Sequence, residues 1–228
     1  MLALVNRVGE TMIESFEPLT AGTVRVYRLF DPSGMFIARG SCFEQHSTPE
    51  PYLAIIEAVG GRVPLIAGVS ELATERAIEY VRDAEKLGVD GFMLLPAMVY
   101  VPTAEELYAH FRTVAEATAL PIMLYNNPPA YKTDFLPEQI VELAAEHPNL
   151  HAVKESSGDV RRVTALKALC GDRLALFVGL DDVVVEGVRA GAVGWIGGVT
   201  NALPKECMAL FHAATRGEAK KGDKLDAD

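Results

Sequence analysis

Residues 122–155 read IMLYNNPPAYKTDFLPEQIVELAAEHPNLHAVKE. The ends of this stretch, IMLY from Ile122 and AVK from Ala152, are short apolar runs of the kind that form buried strands. Between them, Pro137 to Glu146 carries apolar residues at three- and four-residue spacing, which predicts an amphipathic helix. The stretch therefore predicts strand, helix and strand, a unit in which a helical crossover joins two parallel strands.

The same unit recurs along the chain. Further apolar runs begin near Val63, Phe92, Leu174 and Val193, and helical periodicity is found at 73–87 and 104–117. Continuous apolar strands separated by helices are buried on both faces, and six such units in so short a chain favour a barrel over an open sheet. We therefore predict an α/β fold, a TIM-type (β/α)8 barrel. The rival, an open doubly wound sheet, often has a GxGxxG turn after its first strand, and this sequence has none.

Charge and composition narrow the class of partner. The net charge of -10 and the sequence pI near 5.0 disfavour nucleic acid and anionic membranes, because their phosphates would be repelled. The three cysteines are widely spaced and form no CxxC pair, which is typical of a reduced protein without disulfides or structural zinc. No apolar run is long enough to span a membrane, and no secretion signal is evident. We expect a cytoplasmic protein that binds a small molecule.

Two polar residues, Tyr125 and Lys154, stand at the carboxyl ends of consecutive predicted strands. Tyr125 ends the run IMLY and Lys154 ends the run AVK, and the active sites of parallel barrels lie at the carboxyl ends of the strands. A buried lysine offers a neutral, nucleophilic amine for a Schiff base, and a nearby phenol can relay the protons of imine formation. In the structural alternative, Tyr125 is a core tyrosine and Lys154 reaches solvent beside Glu155. The paired placement favours the catalytic interpretation.

At these residues the chain resembles the dihydrodipicolinate synthase and N-acetylneuraminate lyase superfamily of Schiff-base aldolases. The resemblance rests on YNNP at 125–128 and VKESSGD at 153–159. It extends from about Tyr52 to Arg216 and includes GRVPLIAGV at 61–69, GLDD at 179–182 and VGWIGGVTNALP at 193–204.

The resemblance implies a (β/α)8 barrel in a homotetramer, in which Lys154 forms the imine and Tyr125 relays protons. Gly179 and Ile196 match positions that line the family's substrate pocket, and Asn201, close to Ile196, is a further candidate for substrate binding. The implied partner is a small-molecule 2-oxo acid. No metal and no organic cofactor are implied.

The N-terminal part departs from the family pattern. The family's carboxylate-binding motif, of the type Gly-Thr-Thr-Gly-Glu, is reduced here to GSCFE at 40–44, with the bulky Phe43 in place of a backbone-exposing glycine. Upstream, 23–30 alternates like a strand, 31–34 has turn composition and 35–38 is an apolar return, which predicts a β-hairpin. A hairpin is not a βα unit, so the predicted barrel would be incomplete at its N-terminus. We divide the chain into an atypical N-terminal segment at 1–50, a βα barrel core at 51–216 and a charged tail at 217–228.

Two departures concern the substrate. Lysine-biosynthetic members carry an arginine after the YN-x-P motif, and this position is Ala130 here, which disfavours dihydrodipicolinate synthesis. A second family tyrosine, supplied across a subunit interface, would fall at Val99 or its neighbour Tyr100. The string YNNPPAYK resembles members that remove ammonia and water from 4-hydroxy-pyrroline-2-carboxylate. The sequence thus favours a Schiff-base lyase of this kind, with dihydrodipicolinate synthase, a sugar-acid aldolase and a catalytically silent barrel as alternatives.

The remaining polar residues give weaker signals. The five histidines have no metal-ligand spacing, and we expect them at the surface or at helix ends: His46, His110, His147, His151 and His212. Asp181 and Asp182 fit two roles equally well, orienting a substrate hydroxyl or capping the helix that follows.

Overall fold

The structure, a computed structural model, describes residues 25–26, 40–41, 64–97 and 100–217. Two short strands, β1 (Arg25–Val26) and β2 (Gly40–Ser41), pair antiparallel. A separate sheet of six parallel strands follows, and its members are β3 (Ile66–Val69), β4 (Gly91–Leu94), β5 (Ile122–Asn126), β6 (Leu150–Glu155), β7 (Ala175–Val178) and β8 (Gly194–Trp195).

Helices connect the parallel strands. They are α1 (Thr74–Leu87), α2 (Ala104–Ala115), α3 (Pro128–Tyr131), α4 (Pro137–Glu146), α5 (Arg161–Cys170), α6 (Val184–Arg189) and α7 (Pro204–Thr215). Two 3-10 turns, Asp181–Val183 and Val199–Asn201, follow β7 and β8. The three helices predicted from periodicity are therefore present as α1, α2 and α4.

The order of the six strands in the sheet is their order in the chain. A doubly wound sheet reverses its strand order at a switch point, whereas a (β/α) barrel adds each strand beside the previous one. The sequential order confirms the predicted α/β barrel class. The described residues supply six of the eight parallel strands that such a barrel has.

Side chains alternate between two faces of the sheet. Ile122 and Leu124 of β5 belong to the large core between sheet and helices, whereas Met123 belongs to a smaller cluster on the opposite side. We call the side of the helices the outer face and the opposite side the inner face. Because alternation has a period of two, Tyr125 shares the inner face with Met123, and Asn126 lies on the outer face.

The pairing of β5 with β6 contains one irregularity. Ile122 pairs with Leu150, but Met123 pairs with Ala152, so that one extra residue of β6, His151, interrupts the ladder. After this bulge the pairing is regular up to Tyr125 with Lys154 and Asn126 with Glu155.

Capping residues mark the start of α2 and the end of α1. The hydroxyl of Thr103 accepts a hydrogen bond from the Glu106 amide at 3.3 Å, and the Glu106 carboxylate accepts one from the Thr103 amide at 2.8 Å, which starts α2 with a capping box. Helix α1 ends at Gly88, whose φ of 92° lies in the left-handed region that favours glycine.

Several predictions fall outside the described residues. They concern the turn and return strand of the hairpin, the carboxylate motif beyond Gly40 and Ser41, Val99, and nearly all of the charged tail. The division of the chain into three segments stays a prediction.

Candidate active site

The structure brings Tyr125 and Lys154 together. They are paired across the neighbouring strands β5 and β6, next to the carboxyl end of each, and both lie on the inner face. The Lys154 side chain is buried, with 6% of the residue exposed. Its ammonium lies 3.9 Å from the centroid of the Tyr125 ring. A cation over a tyrosine ring at this distance is stabilised by about 2 kcal/mol where water is excluded.

The environment of the phenol changes its acidity. Burial raises the pKa of Tyr125, but the charge of Lys154 and hydrogen bonds from Asn127, Ser156 and Lys154 together outweigh burial and hold the pKa below its usual value. The Asn127 side-chain amide donates to the phenol oxygen at 2.9 Å. A phenol of lowered pKa beside an amine can exchange a proton with that amine more readily than an ordinary tyrosine can.

Gly179 lies against the lysine. It follows β7, and its amide donates to the Glu155 carbonyl at 2.9 Å. A Cβ at position 179 would lie 1.8 Å from the Ser156 hydroxyl oxygen and 3.0 Å from Cε of Lys154. The close approach of the strand ends therefore favours glycine at this position, which borders the Lys154 side chain.

Ile196 and Asn201 are placed differently. Ile196 is buried in the inner-face cluster with Met123, Ala152 and Phe177, so it lies on the same side of the sheet as Lys154. Asn201 ends the 3-10 turn after β8, and its side chain lies outside what the structure describes. Of the five predicted site residues, the structure groups Lys154, Tyr125 and Gly179 directly and places Ile196 on their face.

Comparison with known proteins agrees with this geometry. Residues 50–228 match the dihydrodipicolinate synthetase family. The chain belongs to this family. A 4-hydroxy-tetrahydrodipicolinate synthase of Geotalea daltonii is 40% identical over 167 residues, covering 73% of this chain and 57% of that protein. One of Thermodesulfovibrio yellowstonii is 35% identical over 170 residues, covering 75% and 58%.

Solved structures of the dihydrodipicolinate synthetase family show the same fold. The chloride-inhibited dihydrodipicolinate synthase of Acinetobacter baumannii, crystallised in complex with pyruvate, superposes with a TM-score of 0.72 at 32% identity. That match covers 78% of this chain and 61% of the other. The chain thus spans less than two thirds of the length of these relatives. The predicted superfamily membership is confirmed.

Sequence reasoning about this family member missed Ser156. It follows Lys154 by two residues on the same strand end and is 1% exposed. Its hydroxyl lies close enough to Tyr125 to help lower the pKa of the phenol. Period-two alternation from Lys154 is the signal that could have identified it.

The loop that follows Tyr125 packs against the Tyr125 side chain. Asn127 caps α3 by accepting a hydrogen bond from the Ala130 amide at 3.2 Å. Tyr131 packs edge-on against Tyr125, with ring centroids 5.7 Å apart. Ala130, where lysine-biosynthetic members carry arginine, is exposed and brings no charge to this loop.

Asp181 does not cap the helix that follows it, whereas its predicted role toward a substrate hydroxyl stays a prediction. Its carboxylate accepts hydrogen bonds from the Trp195 indole at 3.1 Å and from the amides of Gly198 and Val199 at 3.1 and 3.2 Å. Neither the 3-10 turn at 181–183 nor α6 has a side-chain cap. Asp181 instead ties the start of the turn after β8 to the end of β7.

The histidine prediction is wrong for His110. This residue lies within α2 and is 4% exposed, and its ring nitrogens are within hydrogen-bond distance of the Leu95 carbonyl and the Thr74 hydroxyl. Burial lowers its pKa. In the described ranges no three His, Cys, Asp or Glu side chains group as a metal site would require. Among the same residues, no helix is both long and apolar enough to cross a bilayer.

Tyr100 is described, unlike its neighbour Val99. It is 61% exposed, and its hydroxyl donates to the Glu106 carboxylate of the same chain at 2.9 Å.

Proposed function

We propose that this chain is a lyase whose Lys154 forms a Schiff base with a 2-oxo acid of the pyruvate type. The observation that carries the proposal is the buried Lys154 amine stacked over the Tyr125 ring at the carboxyl ends of β5 and β6. Pyruvate is the ligand named for the Acinetobacter baumannii relative, which supports this choice of acid.

The geometry suits the proton movements of imine formation. An ammonium must lose a proton before its nitrogen can attack a carbonyl, and the Tyr125 phenolate, favoured by the lowered pKa, accepts that proton. The neutral amine then adds to the keto carbon of the acid and gives a carbinolamine. The phenol returns the proton to the carbinolamine hydroxyl, which leaves as water, and Lys154 is left as the iminium.

For the second half of the reaction, the relatives favour the synthase alternative over deamination. The curated relatives named above are 4-hydroxy-tetrahydrodipicolinate synthases. We therefore propose condensation of the pyruvate imine with an aldehyde such as aspartate semialdehyde as the first candidate. Deamination of 4-hydroxy-pyrroline-2-carboxylate is the second candidate, supported by the uncharged Ala130 beside Tyr131.

Self-association belongs to the same proposal. Tyr100 and Val101 are 61% and 62% exposed, although both are large and apolar, and such side chains are enriched where subunits meet. Sedimentation of the purified chain tests this, and a monomer at micromolar concentration would contradict it.

Borohydride trapping tests the catalytic proposal. Reduction in the presence of pyruvate is expected to add one pyruvate-derived adduct at Lys154, located by peptide mass spectrometry. Lys154→Ala should abolish the adduct, and the matched control Lys132→Ala, at an exposed lysine near the same strand ends, should not. An unmodified wild-type chain would show a catalytically silent barrel and end the proposal.

Once trapping is established, a substrate panel separates the two candidates. Pyruvate with aspartate semialdehyde and 4-hydroxy-pyrroline-2-carboxylate would be compared at equal enzyme concentration. Faster turnover of the pyrroline would make deamination, rather than condensation, the first candidate.

A further inference from the structure

The residues that follow the reactive pair form a polar network on the outer face. Asn126 follows Tyr125 and Glu155 follows Lys154, and the two are paired across β5 and β6. The Asn126 amide donates to the Glu155 carboxylate at 3.1 Å. Both residues are buried, with 2% and 7% exposed.

The network extends to the loop between α3 and α4. Asn126 also donates to the Asp134 carboxylate and to the Phe135 carbonyl, both at 3.2 Å, and accepts a hydrogen bond from the Phe135 amide at 3.0 Å. The Asn126 side chain therefore connects the two ends of the segment 127–135. That segment carries Tyr131, which packs against Tyr125.

The guanidinium of Arg162, in the helix that follows β6, is the last member of this network. Arg162 of α5 makes two hydrogen bonds to the Asp134 carboxylate, at 2.5 and 2.7 Å, and a third to the Phe135 carbonyl at 3.3 Å. The other oxygen of Glu155 accepts from the Ser157 amide at 2.6 Å. We call the four side chains Asn126, Asp134, Glu155 and Arg162 the outer clamp.

Burying the charged side chains of the outer clamp costs desolvation free energy, so the clamp contributes little net stability to the fold. Burial raises the pKa of Glu155, which shows that its charged form is disfavoured where it stands. Replacing buried ion networks by apolar side chains is often neutral or stabilising, so such a network is better explained by the geometry that it defines than by stability. The outer clamp defines the positions of the carboxyl ends of β5 and β6 and of the loop between α3 and α4.

We propose that the outer clamp positions Tyr125 and Lys154 for reaction, with Asn126, Asp134, Glu155 and Arg162 acting as positioning residues. The inference rests on the proposed imine chemistry. Each strand-end member is the chain neighbour of a reactive residue, so a shift of one moves the other. The last backbone hydrogen bonds of the ladder, from the Ser156 amide to the Asn126 carbonyl and from the Gly179 amide to the Glu155 carbonyl, depend on the same strand ends.

Two neighbouring arginines supply a matched test. Arg162→Met removes the charge that joins the clamp, while Arg161→Met removes an equal charge that pairs with Asp159 at the surface. With pyruvate and borohydride, we expect Arg162→Met to slow trapping at Lys154 about tenfold, because small misplacements of reacting groups are costly. Arg161→Met should trap at the wild-type rate.

A second readout needs no substrate. Ionisation of Tyr125 can be followed by ultraviolet absorbance as the difference between each protein and its Tyr125→Phe form. In Arg162→Met the Lys154 charge should lie less favourably placed beside Tyr125. The pKa of Tyr125 should then rise, because this charge lowers it and burial raises it. A role in stability alone would lower the melting temperature without moving this pKa.

The outcomes separate the two proposals. If the wild type traps no pyruvate, the proposed function fails, and the Tyr125 titration alone decides the clamp. If Arg162→Met and the buried variant Asn126→Ala both fold and match Arg161→Met in trapping rate and Tyr125 pKa, the clamp is refuted. Because Arg162 lies at the margin of the network, with 19% of its side chain exposed, its variant remains informative if Asn126→Ala does not fold.

Discussion

Replacing Gly179 by alanine should damage both stability and reactivity. The added Cβ would lie 1.8 Å from the Ser156 hydroxyl oxygen and 3.0 Å from both Cβ of Ser156 and Cε of Lys154. Ser156 is 1% exposed, so its hydroxyl must move by about 1 Å within a packed site. Overpacking of this kind costs about 1–3 kcal/mol of unfolding free energy.

The effect on the lysine can be separated from the effect on stability. Cε of Lys154 must give way by a few tenths of an ångström, which moves the amine away from the Tyr125 ring. Urea unfolding and the borohydride trapping rate would be measured for Gly179→Ala, for Ser156→Ala and for the double variant. The double variant removes the shortest contact, so we expect it to regain most of the stability while trapping stays slow.

Gly68→Ala is the matched control. Gly68 lies on β3 of the same sheet, and a Cβ there would meet no atom of the described residues within 4 Å. If Gly179→Ala proved as stable and as reactive as Gly68→Ala, the argument that glycine is favoured beside Lys154 would be wrong.

Three further predictions concern Tyr125 and Asp181. Tyr125→Phe keeps the ring under the Lys154 ammonium but removes the proton relay, so trapping should slow by about a hundredfold or more. In the wild type the trapping rate should rise with pH through the lowered pKa of Tyr125, as measured by a pH series, and a rise with the same midpoint in Tyr125→Phe would exclude the phenol. Asp181→Ala should lower the unfolding free energy by about 1–3 kcal/mol because it leaves the Trp195 indole and two backbone amides without their acceptor. Urea unfolding checks this against Asp182→Ala at the exposed neighbour, and equal stabilities would refute it.

The sheet and the placement of Tyr125 beside Lys154 are predictable from sequence because their signals are local. The apolar runs at β5 and β6 and the helical spacing of α4 predict one βαβ unit, and a polar residue at the end of each run marks the inner face of that unit. Parallel pairing of chain neighbours then brings Tyr125 beside Lys154.

The clamp is not predictable in the same way. Asn126 and Glu155 read as the polar ends of their strands, and nothing in their own segments indicates burial. Their partners are non-local: Asp134 lies 8 residues after Asn126, and Arg162 lies 28 residues after Asp134. For the same reason, the sequence did not reveal the bond from Asp181 to Trp195, or the acceptor and donor groups that allow His110 to be buried.

The bulge at His151 determines which residue lies opposite Tyr125. Without the extra residue, uninterrupted counting from Ile122 and Leu150 would set Tyr125 opposite Val153 and would set Lys154 opposite Asn126. Because side chains alternate faces, one residue of slip separates an inward lysine from an outward one. Bulges are known to redirect side chains near active sites, and this one does so from the amino end of β6. The pairing of Tyr125 with Lys154, at the carboxyl end of β6, therefore depends on one inserted residue at the amino end of the same strand.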